Sequence, residues 1–89
     1  MIQAHVYYSG TVQGVGFRYT VRRLAADRGL AGWIRNLPDG RVEMLVVGEK
    51  SDIENLLAGI ADYFAGYITA RDVDYSATDQ AFNRFMIIS

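Results

Sequence analysis

Three residue types in this chain could do chemistry together: glycine, arginine and asparagine. The run Gly10-Thr11-Val12-Gln13-Gly14-Val15-Gly16-Phe17-Arg18 places three glycines between an alternating apolar stretch and a segment of helical spacing. Glycine lets the backbone turn its amides inward, and successive inward N–H groups make a concave nest for an anion. A helix opening at such a loop adds its own unpaired amides and the positive end of its dipole. Arg18 falls in that first turn, where an exposed cation costs about 0.3–1 kcal/mol. A residue that breaks a local rule calls for a compensating partner. A phosphate would cancel the repulsion and accept two parallel hydrogen bonds from the guanidinium. On composition alone the loop also fits a plain strand-to-helix connection with a solvent-facing arginine.

The familiar phosphate motifs do not fit. A dinucleotide fingerprint lacks its third glycine, because Tyr19 follows Arg18. No Gly-Lys-Ser/Thr tripeptide closes a P-loop, and no cysteine precedes the arginine. The second candidate is Asn36, in Gly32-Trp33-Ile34-Arg35-Asn36-Leu37-Pro38-Asp39-Gly40-Arg41-Val42-Glu43. Its side chain carries an acceptor and a donor on one rigid fork, which can hold a water molecule in one orientation. The same residue type is also common in turns, bonding its own backbone.

These residues need elements to hold them. Residues 2 to 9 read as a strand with Ile2, Ala4, Val6 and Tyr8 on one face. Phe17, Val21, Leu24, Ala25 and Arg28 recur at helical spacing, with Gly29 as the stop. Residues 31 to 37 form a short strand, Leu37 to Gly40 a turn, and Arg41 to Val47 a third strand. Ser51-Asp52-Ile53-Glu54 predicts a capping box opening a second helix, with Ile53, Leu56, Leu57, Ile60, Ala61 and Phe64 as its apolar stripe. Two strand candidates follow, Ile68 to Ala77 and Phe82 to Ile88. The expected fold is α+β, a ferredoxin-like β-α-β-β-α-β sandwich with two helices on one face of an antiparallel sheet. That architecture alone names no function.

Composition narrows the field. The 89 residues suit a single domain spanning 1–89, and 51% apolar content excludes a disordered chain. With no cysteine and one histidine, a disulfide framework, a thiolate zinc site and a histidine-based metal site fall away. The start has no basic-then-apolar pattern, and no apolar run nears the roughly 20 residues of a membrane span. A cytoplasmic protein without membrane association is expected. From Arg18 to Arg41, six arginines face two aspartates, but the chain as a whole is −1, so a uniformly basic nucleic-acid face is not expected.

Together the two segments resemble acylphosphatase. The family pattern G-x-V-Q-G-V-x-F-R is matched by Gly10, Val12, Gln13, Gly14, Val15, Phe17 and Arg18. The downstream pattern G-W-V-x-N-x-x-D-G-x-V-E is matched by Gly32, Trp33, Asn36, Asp39, Gly40, Val42 and Glu43, with Ile34 where valine is usual. Length, element order, Gly48 and Phe85-x-Ile87 agree as well. The resemblance implies a hydrolase of acyl phosphates. It implies that Arg18 and the backbone amides of Gln13, Gly14, Val15, Gly16, Phe17 and Arg18 hold the phosphate, and that Asn36 positions the attacking water. It implies no metal, no other cofactor and no covalent phosphoenzyme, with a small-molecule acyl phosphate as the only partner of a monomer. Thr11 stands where a basic residue is common, and the ending Phe85-Met86-Ile87-Ile88-Ser89 lacks an arginine–aromatic pair.

The remaining polar and aromatic residues read as structural. His5 is expected to be a structural or surface residue, and Tyr7, Tyr8, Tyr63 and Tyr67 core or sheet-surface fillers. Trp33 is expected to pack at the border of the site, Glu43 to lie at the surface and Asp39 in a turn. The alternative function is a non-catalytic anion- or RNA-binding module, which lacks support from an RNA-motif string. A relative of the acylphosphatase-like module in larger carbamoyl-transfer proteins is a third reading; without cysteine or a second domain, this chain does not match the complete enzyme.

Overall fold

The computed structural model describes residues 1–89. Seven elements follow one another: β1 (Ile2–Gly10), α1 (Phe17–Asp27), β2 (Ala31–Asn36), β3 (Val42–Gly48), α2 (Lys50–Tyr63), β4 (Ile68–Ala77) and β5 (Phe85–Ile87). The strands form one sheet in the order β4-β1-β3-β2-β5. The first four strands pair antiparallel, and both helices pack on one face, as the pattern predicted. β5 adds a short parallel edge beside β2, so the sheet is mixed. The expected strand from Phe82 to Ile88 contracts to these three residues.

β3 is the centre of the sheet, and every residue in it is buried. Val42, Met44 and Val46 face the helices, together with Ala4, Val6 and Tyr8 of β1 and Ile34 of β2. Phe17, Val21 and Ala25 close that layer from α1, and Ile53, Leu56, Leu57 and Ile60 from α2. Ala61 is exposed, so the α2 stripe is narrower than its sequence suggested.

The ends of the elements follow local rules with one correction. α1 stops as expected: Leu30 N–H donates to the Ala25 carbonyl and Gly29 N–H to that of Ala26, a paired C-terminal cap. The capping box does not form. A single residue, Glu49, joins β3 to α2, so the helix is entered at Lys50 and Ser51 is already inside it. Glu49 has extended backbone, its carbonyl accepts from Ile53 N–H at 3.0 Å, and no side chain caps the helix.

The sheet face away from the helices holds a second correction. Glu43 is 5% exposed, not a surface residue. Its carboxylate accepts hydrogen bonds from His5 Nε2 at 2.6 Å, Arg35 Nε at 2.7 Å and Tyr7 Oη at 3.0 Å. Tyr7 opposes it across β1 and Arg35 across β2, and His5, which opposes Leu45, reaches it diagonally on the same face. Burial alone would raise the Glu43 carboxyl; the bonds from His5, Arg35 and Tyr7 outweigh it and hold the carboxyl below its usual range. Among the tyrosines, Tyr8 is core and Tyr7 lies on the free sheet face, but Tyr63 and Tyr67 are exposed near the end of α2.

Candidate functional site

The glycine loop connects β1 to α1 and is pinned on both sides. Gly10 ends β1 at a bulge with φ +118°, and a Cβ there would sit 2.3 Å from the Tyr67 carbonyl oxygen. Only glycine allows that approach, and it brings Thr11 N–H within 2.9 Å of the same carbonyl. Val12 is then buried in the core. Beyond the loop, Phe17 is buried with its ring 5.1 Å from that of Tyr8 and 4.8 Å from that of Phe64. Between these anchors Gly14, Val15 and Gly16 are exposed. Gly16 caps α1 at φ +78°, a left-handed conformation that side chains disfavour.

This pinning leaves a row of amides without internal partners. The first helical hydrogen bond at this end runs from Thr20 N–H to the Gly16 carbonyl at 3.1 Å. No backbone carbonyl accepts from the amides of residues 14 to 19. The α1 dipole adds its positive end here, and no acidic residue occupies the first turn. Arg18 follows buried Phe17, is half-buried itself and makes no ion pair with the protein. Arg35 and Arg41, by contrast, are engaged by Glu43 and Asp39.

Asn36 is the last residue of β2. It pairs with Val42, which pairs with Tyr8, so the three form a row across the sheet. Directly opposed residues share a face, and this row therefore faces the helices. Tyr8 carries the ring on which Phe17 packs, one residue before Arg18. Arg18, the free amides and Asn36 thus come from one end of one layer. The Oδ1 atom of Asn36 is buried and accepts no hydrogen bond from the protein.

For Gln13 the sequence reading concerns only the backbone N–H, and the structure adds a part for its side chain. Its side chain turns to the β2–β3 hairpin, where Nε2 donates to the carbonyls of Leu37 at 2.8 Å and Arg41 at 3.0 Å. Trp33 faces away from this end: it stands on the helix-free face, its ring 6.3 Å from His5 and 5.6 Å from the Arg35 guanidinium. Asp39 is a turn residue as expected. Bonds from the Arg41 amide and side chain hold its carboxyl below the usual range. The largest cleft, about 630 Å³, lies at the other end of the sheet between the end of α1, the start of α2 and residues 80–85. It contains no residue of the glycine loop. No three His, Cys, Asp or Glu side chains are grouped to hold a metal ion, and no helix is long and apolar enough to cross a membrane.

Comparison with known proteins gives the same direction. The acylphosphatase family model matches residues 4–87. An acylphosphatase of Archaeoglobus fulgidus is 48% identical over 60 residues, 67% of each chain. One from Nostoc sp. is 51% identical over 57 residues, 64% of this chain and 56% of that one. The matched stretch therefore covers between about half and two thirds of these relatives. The crystal structure of an acylphosphatase from Bacillus subtilis superposes with a TM-score of 0.92 at 34% identity, covering 100% of both chains.

Proposed function

The chain belongs to the acylphosphatase family, and on that premise we propose that it is an acylphosphate phosphohydrolase, splitting the carboxyl–phosphate anhydride into carboxylate and inorganic phosphate. Arg18 and the amides of the Gln13–Arg18 loop grip the phosphoryl group, and Asn36 orients the water. Every residue in this scheme comes from one chain, so a monomer suffices.

The chemistry asks for little more. A carboxylate is a good leaving group and needs no strong general acid. Phosphoryl transfer through a loose transition state depends on positioning and on stabilising charge over the phosphoryl oxygens. Preorganised N–H groups and a guanidinium supply that stabilisation without reorganising during the reaction. Water then forms a bond to phosphorus as the bond from phosphorus to the acyl oxygen breaks. Neither Arg18 nor Asn36 is a base at neutral pH, so the proton passes from the water to a phosphoryl oxygen of the substrate itself.

One observation carries the reading. The Asn36 carbonyl oxygen is a buried acceptor with no protein donor, on the same sheet end as a run of amides with no protein acceptor. Buried polar atoms are nearly always paired, and a water held by Asn36 beside an anion held by the amides would pair both sets. The deciding experiment compares phosphate release from acetyl phosphate with release from a phosphate monoester. Turnover of the first alone supports the reading. Equal rates, or none with either, refute it. Salt-sensitive RNA binding without turnover would favour the non-catalytic alternative.

A further inference from the structure

We infer that Gln13 is a positioning residue of this hydrolysis, its side-chain amide setting the phosphate-gripping loop against the strand end that carries Asn36. The inference rests on the function proposed above and gives Gln13 a part separate from its backbone N–H.

Both hydrogens of the Gln13 amide are used. Nε2 donates to the Leu37 and Arg41 carbonyls, one on each limb of the β2–β3 hairpin. The two limbs are themselves joined there, with Leu37 N–H donating to the Arg41 carbonyl at 2.8 Å. Leu37 follows Asn36 directly, and Arg41 precedes Val42, the strand partner of Asn36. Gln13 therefore grasps the hairpin immediately beyond the Asn36–Val42 pair. On its own side it lies within the run of free amides and directly precedes Gly14.

The other anchors of the loop hold it elsewhere. Thr11 N–H ties it to the Tyr67 carbonyl, and Phe17 packs on Tyr8 and Phe64. These contacts reach β1 and the region around the end of α2. Gln13 alone hydrogen-bonds the loop to the hairpin. The phosphate grip lies on the β1–α1 connection and the first turn of α1, whereas the water-holding Asn36 lies on β2. The spacing between gripped phosphorus and held water is thus set by Gln13 together with the packing of Phe17 on the Tyr8–Val42–Asn36 row. A displacement of about 1 Å in such a spacing can cost roughly a hundredfold in rate.

Residue choice follows from the same geometry. Two carbonyl oxygens need two N–H donors on one fork. Asparagine is a methylene shorter. Methionine keeps the length without donors. An ionised glutamate sets oxygen against oxygen, although its protonated form could donate to one carbonyl.

The test uses the full chain with acetyl phosphate as substrate and inorganic phosphate as competitive inhibitor. Gln13→Met should lower kcat by about tenfold or more while the inhibition constant of phosphate stays within about twofold. In an Asn36→Ala background the same substitution should cost no more than about twofold, because its effect acts through Asn36. Gln13→Glu should regain kcat relative to wild type as pH falls and its carboxyl protonates. A merely structural Gln13 would weaken phosphate and kcat together and multiply its loss onto Asn36→Ala; either result overturns the inference. If Gln13→Met does not fold, the pH response of Gln13→Glu decides, and a flat ratio counts against. If the wild type turns over no acyl phosphate, the functional reading falls separately. Phosphate titration by NMR then judges the positioning: the Asn36 side-chain amide should respond in wild type and not in Gln13→Met, and an equal response in both overturns it.

Discussion

Replacing Glu43 by glutamine removes one negative charge and changes almost nothing in shape. The Glu43 side chain is buried, and its carboxylate accepts from three side chains on two neighbouring strands. A hydrogen bond to a charged group contributes about 1.5–3 kcal/mol, and breaking a well-buried pair costs about 3–5 kcal/mol. The donors temper this: the side chains of His5 and Arg35 are 36% and 41% exposed and recover water. The glutamine oxygen can keep one donor, but its NH₂ group now meets others. We therefore expect a loss of about 2 kcal/mol, which for a domain of this size lowers Tm by about 8–16 °C.

The acid limb of the same experiment has a defined sign. The Glu43 carboxyl is held below its usual range in the folded protein, so its contribution is fully present above the unfolded carboxylate value near 4.3. That contribution is lost as pH falls through the lower, folded value. Thermal unfolding followed by circular dichroism near pH 7 should separate wild type from Glu43→Gln, and near pH 3 the two curves should draw together. A Glu43→Gln protein within about 1 °C of wild type near neutrality, or a gap undiminished in acid, would refute the reasoning.

Two further predictions concern the site. Arg18→Lys should weaken inhibition by inorganic phosphate roughly ten- to a hundredfold, because a point charge loses one of two charge-assisted bonds worth about 1.5–3 kcal/mol; unchanged inhibition would show that no bidentate contact exists. Asn36→Ala should reduce kcat by about a hundredfold with the phosphate inhibition constant nearly unchanged, measured by steady-state release of phosphate. A parallel loss of affinity would assign Asn36 to the anion instead of the water.

What the sequence made legible is what local rules govern. Alternation in Ala4, Val6 and Tyr8, the helical spacing of Phe17, Val21 and Ala25, and the stop at Gly29 each act within a few residues, and each element stands where those signals put it. The capping box misled because Ser51 and Glu54 carry a helix-start signal that a one-residue connection overrides: once β3 ends at Gly48, the chain has no room for a cap at Ser51. Glu43 was misread for a different reason. Its neighbours in sequence say only that a carboxylate sits in an apolar strand, whereas its burial depends on β3 being central and on Tyr7 and Arg35 arriving opposite it with His5 diagonal to it. Register is a property of the sheet, set by pairs as far apart as Ile2 and Ala77, and no window along the chain contains it. The same holds for Gln13. In the motif it stands beside glycines and looks like part of an anion nest; its side-chain partners lie 24 and 28 residues away. A donor fork placed next to a free-amide loop can serve the anion or the scaffold, and only the position of the hairpin carbonyls decides. A motif can therefore name the residues of this site without ranking them. On the proposed reading, folding divides them into those that meet the phosphate and those, like the Gln13 side chain, that hold its neighbours in place.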